Sequence, residues 1–300
     1  MERGKLVVEM VGGKSTVRRC FSKYPLKFIV PNKVGSSQTD AVWIYTITYG
    51  GGIVSGDSIA FDVTVGDGCT AVLTTQSSTK VYKSIGSKCC EQVLEASIGR
   101  DAVLVVIPDP VTCFSTARYS QTQIFKLAAQ SSSLLLVDWI TSGRHQNQNQ
   151  DQGERWAFSH YKSSNRILLQ GTDHPLFLDT ILLEQESSDA SISISERMKD
   201  YQAMAMILLW GPKLKTIQNQ IEGDVKKLMS QQLRLPSMNS SKPGSLSKPS
   251  FVASCSTFGP KGMEVGLVVR VASMTTEAIY SFLQHELAAM EDLVGAPPYR

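Results

Sequence analysis

A chain of 300 residues, 42% of them hydrophobic and 19% charged, is long enough to bury a sizeable core and has the composition of a globular protein. Its formal charge of +3 is small for that length and no Lys/Arg cluster exceeds a couple of residues, which argues against a nucleic-acid binder. The longest apolar run, residues 204–210, is far too short to span a membrane, and the opening MERGKLVVEM lacks the apolar core of a secretion signal, so a cytoplasmic protein is expected.

Strand-like text fills most of residues 5–185. Alternating or β-branched segments occur at 5–9, 26–30, 41–48, 58–65, 71–75, 91–98, 102–107, 121–126, 134–140, 155–161 and 166–170, with Gly, Pro, Asn and Ser between them. Strand follows strand without a regular helix, which disfavours a Rossmann or α/β-barrel fold. The stretch YGGGIVSGDS, residues 49–58, is not a phosphate loop. Asp57 follows Gly56 where a P-loop needs Lys, and Ile59, Phe61, Val63 and Val65 then alternate as a strand rather than opening a helix. Gly50, Gly51, Gly52 and Gly56 instead connect two strands, where glycine permits positive φ and close backbone approach. The polar insert at 144–154 reads as a surface loop.

The period changes near residue 195. A helix is expected from Ser195, with Met198, Tyr201, Ala205 and Leu208 on one face and Gly211-Pro212 as its stop. A second helix is expected over 214–235, with Ile217, Ile221, Val225 and Leu228 in a stripe, and a last one over 276–293, capped by Thr275 or Thr276. Strands return at 251–257 and 263–271. The Ser/Pro/Lys-rich tract 236–250 reads as a mobile loop. Apolar stripes of this kind are either core or a docking face for another protein.

Chemistry-bearing residues are sparse. The cysteines at 20, 69, 89, 90, 113 and 255 form no Cys-x-x-Cys, and the four histidines form no His-x-His or His-Glu-x-x-His, so a zinc enzyme is disfavoured. No Gly-x-Ser-x-Gly elbow is present. Among the candidate acids Asp57, Asp62, Asp109, Asp138, Asp173 and Glu184, Asp138 stands out because it interrupts the apolar run LLLVDWI. An acid in such a strand must be paired, hydrogen-bonded or facing a polar cavity. It is a general base, a structural acceptor or a carboxylate along a metal's path. The hydroxyl-rich run from Thr74 to Lys80 is a polar turn or the lining of a pore.

These residues carry a family resemblance. Residues 50–84, GGGIVSGDSIAFDVTVGDGCTAVLTTQSSTKVYKS, resemble the UreD (UreH) urease accessory proteins, whose pattern is Gly-Gly-x-x-x-Gly-Asp, a strand, then Leu-Thr-Thr-x-x-x-Thr-Lys-x-Tyr. The similarity continues through 107–114 (IPDPVTCF), Ala117-Arg118-Tyr119, Asp138-Trp139, Ser142-Gly143-Arg144, Gly153-Glu154, 268–271 and Gly295-Ala296-Pro297-Pro298. Where the family often closes with Pro-Arg-x-Trp, this sequence has Tyr299-Arg300. The polar insert and the Ser/Pro tract suggest a plant-like member.

The resemblance implies one UreD-like domain over 1–300, mainly β, with β-helix-like stacked sheets and a few helices in the C-terminal third. It implies a non-enzymatic factor for nickel urease that works with UreF and the GTPase UreG, docks on apo-urease and holds no tightly bound cofactor. Ni2+ would pass transiently, through an internal polar passage. Asp57, Thr79 and Asp138 lie inside the matching motifs and are the expected passage residues, although Asp57 equally suits a turn cap. Hydrated, oxygen-rich walls suit such a path, because strong Cys/His ligation would trap the ion. A β-solenoid hydrolase using Asp109 and Asp138, or a plain interaction module, are the competing readings.

Overall fold

The computed structural model describes residues 3–32, 39–144, 154–185, 192–233, 249–260, 262 and 265–299. Most of the 144–154 insert and of the 236–250 tract lies outside these described residues. The strands in chain order are β1 (Gly4–Val11), β2 (Lys14–Phe21), β3 (Leu26–Ile29), β4 (Val42–Thr48), β5 (Ser58–Val65), β6 (Thr70–Thr75), β7 (Thr79–Val81), β8 (Cys90–Ile98) and β9 (Val103–Ile107). They continue with β10 (Val111–Cys113), β11 (Arg118–Leu127), β12 (Ser133–Thr141), β13 (His160–Leu169), β14 (Phe177–Glu184), β15 (Ala203–Trp210), β16 (Phe251–Phe258) and β17 (Gly266–Ser273). The helices are α1 (Ile194–Met198), α2 (Lys215–Leu233), α3 (Thr276–Glu286) and α4 (Glu291–Val294).

Between β4 and β13 the chain passes back and forth between two stacked sheets, in a β-solenoid-like coil. The outer sheet runs β14-β13-β11-β8-β5-β1-β2 and the middle sheet β16-β17-β15-β12-β9-β6-β4-β3, with β7 and β10 attached beside β12. Neighbours that are successive turns of the coil pair in parallel, as β5 with β8 and β8 with β11, or β4 with β6 and β6 with β9. The mainly β architecture with late helices is therefore as expected. No fixed repeat is visible in the sequence because the coil advances unevenly: its middle-sheet strands begin at Val42, Thr70, Val103 and Ser133.

Burial explains the two kinds of strand text. One hydrophobic core lies between the sheets, with Phe61, Leu94, Phe125, Leu136 and Trp210. A second lies between the middle sheet and the helices, with Val137, Trp139, Ile207, Ile221 and Leu283. The middle sheet is thus covered on both faces, so β9, β12 and β15 read as near-continuous apolar runs. The outer sheet has one covered face, so β11 and β13 alternate.

That difference corrects one expectation. The helix foreseen from Ser195 to residue 210 is a single turn, α1, capped by Ser193 with Glu196 in a capping box. Residues 203–210 are β15, held between β12 and β17 and almost wholly buried. An apolar run buried on both sides carries no period that separates helix from strand. Similarly, most of the strand foreseen at 155–161 is irregular, with Trp156 at φ +54°, and the one foreseen at 166–170 is the end of a longer strand, β13, that begins at His160. Strands β2, β7, β10 and β14 were not foreseen, and the last helix breaks at Leu287 into α3 and α4.

The helical stripes belong to the core. Ile217, Ile221 and Val225 of α2, and Ile279, Phe282 and Leu283 of α3, are buried against the middle sheet. Thr275 caps α3 by accepting from the Ala278 backbone N–H at 3.3 Å. No described helix is long and apolar enough to cross a membrane.

Candidate functional site

The middle sheet has a gap. The ladder between β9 and β12 ends at Leu136↔Val106, and β12 finds its next parallel partner only at Val111↔Ile140. Between those points Pro108-Asp109-Pro110 leaves the sheet, because proline cannot donate to the ladder. Asp138 stands on β12 opposite this gap. A cavity of about 240 Å³ fills the space, lined by Asp138, Asp109, Gln121, Gln123, Gln92 and Thr79 among others. On the helix side lies a wider pocket of about 610 Å³, walled by Trp43, Tyr45, Tyr280 and Tyr299. The two share Thr74, Thr75, Gln76 and Asp109.

Asp138 is 5% exposed and faces the outer sheet, on the same side of β12 as Leu134, Leu136 and Ile140. Its Oδ2 accepts from Ser163 Oγ at 2.6 Å and from Asn165 Nδ2 at 2.7 Å, and its Oδ1 from Gln121 Nε2 at 3.2 Å. Tyr119 donates to Gln121 Oε1 at 3.0 Å, and Gln123 Nε2 to Asn165 Oδ1 at 2.9 Å. The parallel register builds this network, setting Gln121 beside Ser163 and Gln123 beside Asn165 on the inward face. Burial pushes the Asp138 carboxyl above its usual range, while the three donors pull it back in part. The site is thus an isolated carboxylate with its lone pairs largely engaged, in a chamber whose wall mixes amides and hydroxyls with apolar side chains such as Leu73, Leu94 and Val106.

Thr79 also lines the cavity, and its backbone N–H donates to the Pro110 carbonyl at 2.9 Å beside the gap. Asp57 does not line it. Its Oδ2 accepts from the Val54 N–H at 3.0 Å and its own N–H donates to the Val54 carbonyl at 2.9 Å, so it closes a turn. Of the glycines, Gly50, Gly51 and Gly56 have positive φ, whereas Gly52 is extended but pressed against Lys80 and Tyr82. Gly51 reaches the cavity wall. Asp57→Ala is expected to cost about 0.5–1.5 kcal/mol, the scale of a partly exposed hydrogen bond, and Asp57→Asn less, since it keeps the acceptor. Urea denaturation of both variants checks this.

Asp109, one of the sequence-level candidate acids, sits at the junction of the two pockets. Its Oδ2 accepts from Thr75 Oγ1 at 3.2 Å, and its Oδ1 from the Tyr280 hydroxyl at 2.8 Å. Tyr299 donates to the Pro108 carbonyl at 3.0 Å, and Trp139 Nε1 to the same carbonyl at 2.8 Å. Tyr280, Tyr299 and Trp139 pack edge to face around this point. Burial, then the bond to Asp109, pushes the Tyr280 hydroxyl pKa up, so it is a donor at neutral pH. Gln121, Gln123, Ser163, Asn165, Tyr280 and Tyr299 were not singled out from sequence.

Comparison with known proteins follows the same line. The family model described as "UreD urease accessory protein" matches residues 2–300. Urease accessory protein D of Arabidopsis thaliana is 60% identical over 305 residues, covering 100% of both chains. Urease accessory protein D of Oryza sativa subsp. indica is 53% identical, over 99% of this chain and 94% of its own. The urease accessory protein UreD of Sorangium cellulosum is 33% identical, over 99% of this chain and 82% of its own.

Proposed function

Because the chain belongs to the UreD family of urease accessory proteins, we propose that it serves urease maturation as a scaffold and a route for nickel. Family membership makes it an accessory factor rather than an enzyme, acting with urease and other accessory factors. The finer reading is that it assembles with UreF and the GTPase UreG, docks on apo-urease, and lets Ni2+ pass as cargo.

One observation carries this reading: a cavity with carboxyl, hydroxyl and amide groups on part of its wall interrupts the middle sheet and meets a second pocket at Asp109. Its wall offers carboxylate, hydroxyl and amide oxygens. Such donors replace parts of a hydration shell weakly enough for an ion to leave again. Asp138 has its oxygens shared among Ser163, Asn165 and Gln121, which keeps it from chelating strongly. Burial makes the charged form of Asp138 costly, a cost that a passing cation offsets. The hydrolase reading fails on family membership. The two acids it needs also stand in separate hydrogen-bond sets, Asp138 with Ser163 and Asn165, Asp109 with Thr75 and Tyr280.

The test is coexpression of apo-urease, UreF and UreG with nickel, with or without this chain, followed by pull-down on the chain. Active urease is expected only when the chain is present, with UreF and UreG copurifying. Full activation in its absence would remove the maturation role. Normal activation without copurification would remove the complex.

A further inference from the structure

The helical layer holds a second group of ligand atoms, separate from the cavity. Asp224 of α2 and His285 and Glu286 of α3 each bring one such atom to within 4.8 Å of the others, and no other trio of His, Cys or carboxylate ligands is this close among the described residues. This is more than an acidic surface patch. Glu286 is only 2% exposed, and one of its carboxylate oxygens is buried without any hydrogen-bond partner. Burial, with help from the Asp224 charge, pushes its carboxyl up to about 7. A buried carboxyl without a donor is costly unless a proton or a cation satisfies it. Lys227 does not fill that role by hydrogen bonding, since its ammonium sits 2.8 Å from Asp224 and leaves the Glu286 oxygen unmatched. His285 is exposed, which gives an ion a path from solvent.

We propose that Asp224, His285 and Glu286 form a three-ligand site for a divalent first-row transition ion of the zinc or nickel type. One imidazole with two carboxylates suits these borderline ions, whereas Mg2+ and Ca2+ call for all-oxygen shells. Ligand atoms stand about 2.0–2.2 Å from such an ion, so the donors have to close together by roughly an ångström. Asp224 is only partly buried and His285 is exposed, so both side chains have that freedom. Three protein ligands leave a position for water, the arrangement of an exchangeable site rather than a closed structural one. The site lies on the helices and does not depend on passage through the cavity.

The test uses the full chain carrying a cleavable solubility tag. Zn2+, Ni2+ and Mg2+ are titrated calorimetrically, and Co2+ serves as a spectroscopic probe through its visible bands. The wild type is expected to bind Zn2+ or Ni2+ in preference to Mg2+ and to show Co2+ bands. His285→Ala and Glu286→Gln are each expected to weaken binding by about tenfold or more and to lose those bands. Glu286→Gln keeps the side-chain shape and removes a buried charge, and His285→Ala alters an exposed side chain, so at least one variant should fold as the wild type does. Unchanged binding in both variants, Mg2+ binding as tight as Zn2+, or no binding by the wild type would overturn the proposal.

Discussion

Asp138→Ala is expected to lose about 3 kcal/mol of stability, and Asp138→Asn less than about 1.5 kcal/mol, in urea denaturation near neutral pH. Alanine leaves Ser163 Oγ, Asn165 Nδ2 and Gln121 Nε2 buried without their acceptor. Each orphaned donor costs about 1–3 kcal/mol, but Gln121 Nε2 also donates to Ser163 Oγ and so keeps an acceptor, which holds the loss below the full sum. Asparagine keeps one oxygen for the Ser163 and Asn165 donors and removes the cost of burying a charge. The pH dependence has a definite sign. The folded protein holds the Asp138 proton more tightly than the unfolded chain does. Its contribution is therefore full below the ordinary aspartate range, about 4, and is lost as pH rises through the higher folded value. The stability of Asp138→Asn relative to wild type should improve as pH rises from 4 upward.

Gly52→Ala should cost about 3 kcal/mol, at the upper end for inserting a methyl into a packed site. A Cβ there would lie 2.6 Å from the Lys80 carbonyl oxygen and 2.6 Å from a Tyr82 ring carbon. The carbonyl cannot retreat, because it accepts from the Ile53 N–H at 2.8 Å, and Tyr82 N–H returns a bond to Ile53 at 2.9 Å. Gly50→Ala meets nothing within 4 Å but must adopt φ +76°, and about 1–2 kcal/mol is expected. Equal losses at the two positions, measured by chemical denaturation, would contradict the distinction between close approach and backbone conformation.

Much of the hydrogen-bond network around Asp138 can be read from strand alternation, though only once the inward face is known. In β11, Tyr119, Phe125 and Leu127 share their face with Gln121 and Gln123, and in β13 Tyr161, Ile167 and Leu169 share theirs with Ser163 and Asn165. The flanking apolar residues thus mark those amides and hydroxyls as inward, a signal that was present but unused. Asp138 was conspicuous because a charge in a two-sided apolar strand has no solvent face to occupy. Asp57 shares a motif with the wall residues, yet its carboxylate closes a turn away from the cavity wall, since proximity in sequence says nothing about which side of a connection a side chain takes. Other features lacked any local signal. Strands β7 and β10 have three residues each, too few for a period, and β15 is apolar on both faces. The Tyr280–Asp109 bond joins residues 171 positions apart, and the Asp224–His285–Glu286 group spans two helices.

Nickel delivered to urease discriminates a route through the cavity from a merely structural one. Urease matured with UreF, UreG and either wild type, Asp138→Asn, Asp109→Asn or Asp57→Asn would be purified after confirming that each complex assembles, and its nickel content and activity measured together. If the ion crosses the polar gap in the middle sheet, Asp138→Asn and Asp109→Asn assemble normally but leave urease nickel-poor and inactive, while Asp57→Asn loads it fully. Full nickel loading with both Asp138→Asn and Asp109→Asn would contradict passage through this cavity.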